Sequence, residues 1–180
     1  MHKGILLAGA LAFGFAGAAQ AQWAPSPRAP SSDALSDDFA QKAAAGGLAE
    51  VEAGRLAQTK AGDKAVRNLA ARMVRDHAKA NSELMRILQK SGRQPPSGLD
   101  ADGRSMMDKL NSASGREFDR AYITAMVEDH DKDVQAFSEC AKSCGDRAVK
   151  AFAAKTLTVI RRHDKAVQDL QRKMSSTGSL

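Results

Sequence analysis

Four stretches of this chain place apolar residues every three or four positions, the spacing of one face of an α-helix, and no alternating strand pattern appears anywhere. The second stripe runs Val66, Leu69, Ala70, Met73, His77, Ala80, Leu84 and Leu88. The third runs Ile123, Val127, His130, Val134 and Phe137, and the fourth Val149, Phe152, Ala153, Ile160, His163, Val167 and Leu170. The first is built from smaller residues: Phe39, Ala43, Gly46, Gly47, Glu50, Gly54 and Ala57. Glycine inside a helix costs about 1 kcal/mol in propensity, so this stripe predicts close approach of a neighbouring backbone. In each stripe the middle position is a residue that can bind metal: Glu50, His77, His130 and His163.

Start and stop signals bound these helices. Ser36 reads as an N-cap with Asp37 and Asp38 in the first turn, and Gly62 ends a first helix near Ala61. A second helix is predicted from Asp63 to Lys90, stopped by Ser91-Gly92 and the breaker Gln94-Pro95-Pro96-Ser97-Gly98. A shorter helix over 103–112 precedes a third long one over 115–143, and the fourth runs from Asp146 to about Met174. The prediction is an all-α four-helix bundle domain over 36–174, with a long connection between helices 2 and 3. Residues 63–72 resemble 146–155, and His77 to Leu84 resembles His163 to Leu170, so the bundle reads as two related helical hairpins.

The N-terminus sets the compartment. A basic start at His2-Lys3, an apolar run from Ile5 to Ala18 and the Ala19-Gln20-Ala21 cleavage pattern read as a signal peptide over 1–21, too short for a lasting membrane span. Proline-rich residues 22–35 read as a flexible leader, and 175–180 as a disordered tail. The expected location is the periplasm, with envelope association open. The net charge of +6 is spread among acidic residues rather than blocked, and only 4% of residues are aromatic, which argues against nucleic-acid binding. No strained serine elbow or glycine-rich phosphate loop supports nucleophilic or nucleotide chemistry. Homo-oligomerisation stays open.

Depth along the helices favours convergence. Glu50, His77, His130 and His163 each lie about four turns into their helices, within about 6 Å of one level at 1.5 Å rise per residue. Three imidazoles and a carboxylate suit one divalent transition metal such as zinc, iron or copper. Glu52, Asp76, Glu128, Asp129 and Asp164 are candidate acceptors for the ring N–H groups. Imidazole must be neutral to ligate, so binding is expected to weaken below about pH 6. The competing reading is a buried polar network that fixes helix register without metal. Cys140 and Cys144, the two cysteines, are a candidate disulfide, provided the last helical turn unwinds at Gly145.

Several elements carry a family resemblance: Gly46-Gly47-Leu48-Ala49-Glu50-Val51-Glu52, Met73-Val74-Arg75-Asp76-His77 with Asn81 and Leu84, and Ser114-Gly115 with Phe118-Asp119 and Tyr122. With His130 and His163 they resemble the bacterial domain-of-unknown-function family 4142, over roughly Asp37 to Leu170. The resemblance implies a ferritin-like bundle in an exported envelope protein. The family's usual Leu-Pro before the last histidine is Leu157-Thr158 here, which affects the local bend of that helix. Di-iron chemistry does not follow: Val74, Val127 and Ile160 stand three residues before the histidines, where a Glu-x-x-His motif needs glutamate. The expected function is metal handling or stress protection through one ion; a structural envelope role is the alternative, and a metal-dependent oxidoreductase a third.

Overall fold

The computed structural model describes residues 31–176; the expected signal peptide, residues 22–30 of the expected leader, and residues 177–180 lie outside them. Five helices account for the elements of the described chain: α1 Ser32–Lys60, α2 Lys64–Lys90, α3 Ala101–Ser112, α4 Gly115–Ser143 and α5 Arg147–Ser176. The four long helices and the short one match the sequence pattern.

The boundaries at the two ends of the domain differ. Helix α1 begins at Ser32, so 32–35 belong to the bundle rather than to a flexible leader. The cap is Ser31, whose hydroxyl accepts from the Ala34 N–H at 3.2 Å. Ser36 is fully buried inside the helix; its hydroxyl donates to the Ser32 carbonyl and accepts from the Asp146 N–H at 3.0 Å. At the other end α5 continues through Ser176, past the expected stop at Met174.

Ser36 belongs to a reciprocal clasp. The Gly145 N–H, in the α4–α5 turn, donates to the Ser32 carbonyl at 2.9 Å, beside the Ser36 contact. At the opposite end of the bundle, the Asp119 carboxylate on α4 accepts from the Gly62 and Asp63 N–H groups of the α1–α2 turn at 3.0 and 2.9 Å. Each hairpin's first helix therefore caps the other hairpin's turn. Arg93 adds a tie, reaching Asp37 at 2.7 Å and Asp146 at 2.8 Å. These contacts fix direction: α4 starts where α1 ends, so residues 91–114 must cross the length of the bundle. Helix α3 lies in that crossing, packed on α1 and α4. Helix α1 pairs with α2 and α4, and α5 with α4 and α2.

Loss of the Asp119 carboxylate strips two turn N–H groups of a charged acceptor. Asp119→Ala should cost about 1–3 kcal/mol, read as a lower urea midpoint at unchanged slope; an unchanged midpoint would show that the clasp is dispensable.

The small-residue stripe of α1 brings the α2 backbone close at Gly54, where a Cβ would meet Val74 at 2.7 Å and the Ala70 carbonyl at 3.3 Å. At Gly47 the space is filled by a side chain, and a Cβ there would meet the Asn81 amide at 2.2 Å. Gly46 faces open space instead. Cys140 and Cys144 are bridged. Cys144 has left the helix for an extended conformation while its N–H still bonds the Cys140 carbonyl, which is the unwound last turn such spacing requires.

The apolar core falls into two clusters. One gathers Val66, Leu69, Met73, Leu110, Phe118, Tyr122, Ile123, Met126 and Val167. The other gathers Phe39, Leu84, Leu88, Phe137, Val149, Phe152 and Ile160. Between them on every long helix comes a polar residue: Glu50, His77, His130 or His163.

Candidate metal centre

All four of these side chains are sealed: Glu50 and His163 are 1% exposed, His130 0% and His77 7%. One ring nitrogen from each of His77, His130 and His163 lies within 4.8 Å of the other two. The closest pair is His77 Nε2 and His163 Nδ1, 3.1 Å apart. Two nitrogens on one zinc at about 2.0–2.1 Å can be at most about 4.2 Å apart. The 3.1 Å pair fits as it stands, and a pair 4.8 Å apart must close by at least about 0.6 Å.

The remaining ring nitrogens have oxygen partners. His77 Nδ1 is 2.6 Å from Glu50 Oε2. His163 Nε2 is 2.9 Å from Asp76 Oδ2. His130 Nδ1 is 2.9 Å from the Met126 carbonyl one turn earlier. A carbonyl only accepts, so His130 Nδ1 carries the proton and its Nε2, which has no hydrogen-bond partner, keeps the lone pair. Asp76 likewise draws the His163 proton to Nε2, leaving a lone pair on Nδ1. His77 then has two options. With Glu50 protonated, Glu50 donates to His77 Nδ1 and His77 Nε2–H donates to His163. With Glu50 ionised, His77 Nδ1–H donates to Glu50, and the two facing nitrogens both present lone pairs. The second arrangement is repulsive unless a cation sits between them. The two states differ by one proton.

Burial sets which state the apo protein adopts. It pushes Glu50 up to about 8, His130 opposing and Asp129 adding to the rise. It pushes His77 down to about 4 against the pull of Asp129 and Asp76. His130 also falls to about 4 through burial, with Glu50 opposing. His163 falls to about 4 through burial and the neighbouring His77, with Asp76 opposing. Near neutral pH the imidazoles are uncharged and Glu50 holds a proton. The histidines stay ready to ligate well below pH 6, lower than free imidazole would allow.

Of the acids expected to brace the rings, Asp76 does so directly, and Asp129 acts on Glu50 instead, adding to the rise of its carboxyl. Glu52 and Glu128 lie on exposed faces, and Asp164 accepts from Gln168 at 2.7 Å. Neither Asp133, a turn beyond Asp129, nor the Met126 carbonyl stands out in the sequence pattern. Asn81 and Tyr122 also border the layer: the Asn81 amide fills the space beside Gly47, and Tyr122 Oη lies near Gly54. Asn81 Nδ2, Tyr122 Oη, Glu50 Oε1 and His130 Nε2 are buried without hydrogen-bond partners. Four such atoms around one layer are unusual, because buried polar atoms are nearly always paired. Burial, with Glu50 adding, pushes the Tyr122 hydroxyl further up, so it stays a neutral donor.

The family model described as Domain of unknown function (DUF4142) matches residues 20–170. The chain belongs to this family. Similar folds are found in two DUF305 crystal structures. One is a candidate secreted DUF305 protein of Streptomyces coelicolor, 20% identical, with a TM-score of 0.67 over 81% of this chain and 94% of that one. The other is a DUF305 fragment from Deinococcus radiodurans, 13% identical, with a TM-score of 0.68 over 80% of this chain and 99% of that one. At these identities the likeness shows a shared all-helical fold. No curated protein matches the chain. Among the described residues of this DUF4142 protein, no helix is long and apolar enough to cross a membrane.

Proposed function

We propose that this DUF4142 protein is an exported, ferritin-like helical bundle that binds one divalent transition metal through His77, His130 and His163. The observation that carries the reading is the pairing of the ring nitrogens. Each histidine has one nitrogen on an oxygen, the other nitrogens of His77 and His163 face each other at 3.1 Å, and one ring nitrogen from each of the three lies within 4.8 Å of the other two. An outer oxygen that fixes the tautomer and raises ligand basicity is what bound histidines usually have. In this reading Glu50 and Asp76 brace the ligands rather than touching the ion. The single crossover connection is the one that ferritin-like bundles use. An ion sealed in the bundle core by side chains that are 7% exposed or less suits storage, buffering or stress protection better than turnover. The proposed location, the periplasm, rests on the expected signal peptide and on the candidate secreted DUF305 neighbour.

A second reading has its own support. With Glu50 protonated, the chain Glu50–His77–His163–Asp76 is satisfied without an ion. A structural network of that kind would fix the register of the four helices. Thermal melts separate the two. Under the metal reading, zinc, copper or ferrous iron at about 100 times its dissociation constant adds about 2.7 kcal/mol of stability. His77→Ala should then lose most of that gain. Equal shifts in wild type and variant would leave the network reading standing.

A further inference from the structure

We propose that the outer face of α2 and α5 is a docking surface for an anionic phospholipid bilayer. The proposal goes beyond the metal-binding reading and uses none of its ligands. Charges that are interspersed along the chain separate in the fold. Helix α2 carries seven lysines and arginines against two acids, and α5 eight against two. Helices α1 and α4 have the opposite balance, three against five and four against seven. Helix α2 packs on α5, while α3 lies on α1 and α4. The two basic helices therefore form one side of the bundle, and the acidic pair the other.

On α2 the exposed cations Arg72, Arg75, Lys79, Arg86 and Lys90 recur at spacings of three, four and seven, which makes one stripe about 27 Å long. The acids of α2 stand at the edge of this stripe and are taken up by α5, where Asp76 meets His163 and Glu83 pairs with Lys155 at 2.7 Å. Exposed Arg162, seven residues from Lys155, continues the basic face across that seam. On α5, Asp169 is already held by Lys165 and Arg172. Among the described residues no carboxylate pairs with Arg72, Lys79, Arg86 or Lys90. The face also lacks an aromatic anchor: α2 contains no Phe, Tyr or Trp, and Phe152, the one such residue in α5, is 3% exposed. Protein hot spots and single-stranded nucleic acids lean on such anchors. An anionic bilayer attracts lysine and arginine by charge alone, at about fivefold in affinity for each cation near its surface. A straight stripe can meet that flat surface along its whole length.

The test uses untagged protein without the expected signal peptide, whose apolar run would itself enter lipid. Sedimentation compares vesicles of phosphatidylglycerol mixed into phosphatidylcholine with vesicles of phosphatidylcholine alone. The expected result is binding to the phosphatidylglycerol vesicles only. It should be lost between about 0.15 M and about 1 M salt, where the screening length falls from about 8 to about 3 Å. Arg72→Glu with Arg86→Glu should weaken binding at least about 25-fold, about fivefold for each cation lost. Lys109→Glu with Lys132→Glu makes the same change in net charge on the other side, where both lysines line a pocket between α3 and α4. That pair should bind within about twofold of wild type, because charges beyond the screening length are scarcely felt. Wild type that stays in solution with phosphatidylglycerol vesicles overturns the proposal. So does equal binding to both vesicle types, or an equal loss in the two double variants. Tighter binding to a duplex DNA fragment than to the vesicles at the same salt would assign the face to nucleic acid and overturn it too. His163→Ala should sediment like wild type, so failure of the metal site and failure of the lipid face are told apart. Far-UV circular dichroism checks that each variant folds; should a double variant not fold, wild-type binding and its salt dependence decide.

Discussion

The metal-free protein should lose stability as pH rises from about 7.5 to about 9. In the unfolded chain Glu50 titrates near 4.5, whereas burial in the folded protein raises it to about 8. Between those values the folded state binds a proton that the unfolded state does not, so stability falls with rising pH. Asp129 and Asp133, both raised chiefly by burial, act in the same sense. Above about pH 7.5 the histidines are neutral in both states, because the unfolded ones titrate near 6.5, and they contribute almost no slope. For Glu50 alone the loss from 7.5 to 9 is about 1 kcal/mol, at about 1.4 kcal/mol per pH unit for a full proton. Below about 7.5 the histidines, held near 4 in the fold, offset and then reverse the sign of the carboxyls. Urea titrations at pH 7.5 and 9 measure the difference. Glu50→Gln should remove its share of the slope, while a wild-type protein equally stable or more stable at pH 9 would refute the buried, protonated Glu50.

The same proton should govern metal affinity. An ion between His77 and His163 requires His77 to carry its proton on Nδ1, which ionises Glu50. One proton is therefore released on binding below about pH 8. Zinc affinity should rise about tenfold per pH unit from pH 6 to 8, as the linkage of one proton demands, and level off above. Glu50→Gln cannot ionise, so its affinity should be flat over that range and about 10–100-fold weaker than wild type at pH 8, the usual cost of losing a bracing partner. Competition against a chromophoric chelator at each pH reads both. A wild-type slope of zero, or a Glu50→Gln protein that binds like wild type, would mean that the Glu50 proton is not coupled to the site.

The helices and the inward histidines could be read from the sequence because both follow from periodicity: a residue in an apolar stripe of a bundle faces the core. The close approach at Gly47 and Gly54 was legible for the same reason. What escaped depends on which helix lies opposite. Ser36 followed by two aspartates has every local mark of a cap, yet its hydroxyl is taken by the Asp146 N–H, 110 residues away. Asp133 ends a charged run from Glu128 that reads as a solvated face, yet it lines a pocket between α1, α3 and α4 beside Asp129. Glu52 and Glu128 looked equally able to brace a ring but point to solvent. Asp119, quoted in a family motif, gained its meaning only when the α1–α2 turn was found against it.

The most direct measurement is a calorimetric titration of zinc into tag-free, metal-stripped protein at pH 7.5, in two buffers of different ionisation enthalpy. If the three histidine nitrogens form the centre, wild type should bind one zinc per chain at the histidines and release about one proton, the fraction set by the Glu50 linkage. His163→Ala should lose that event. Identical heats and stoichiometry in the wild type and His163→Ala would contradict the account.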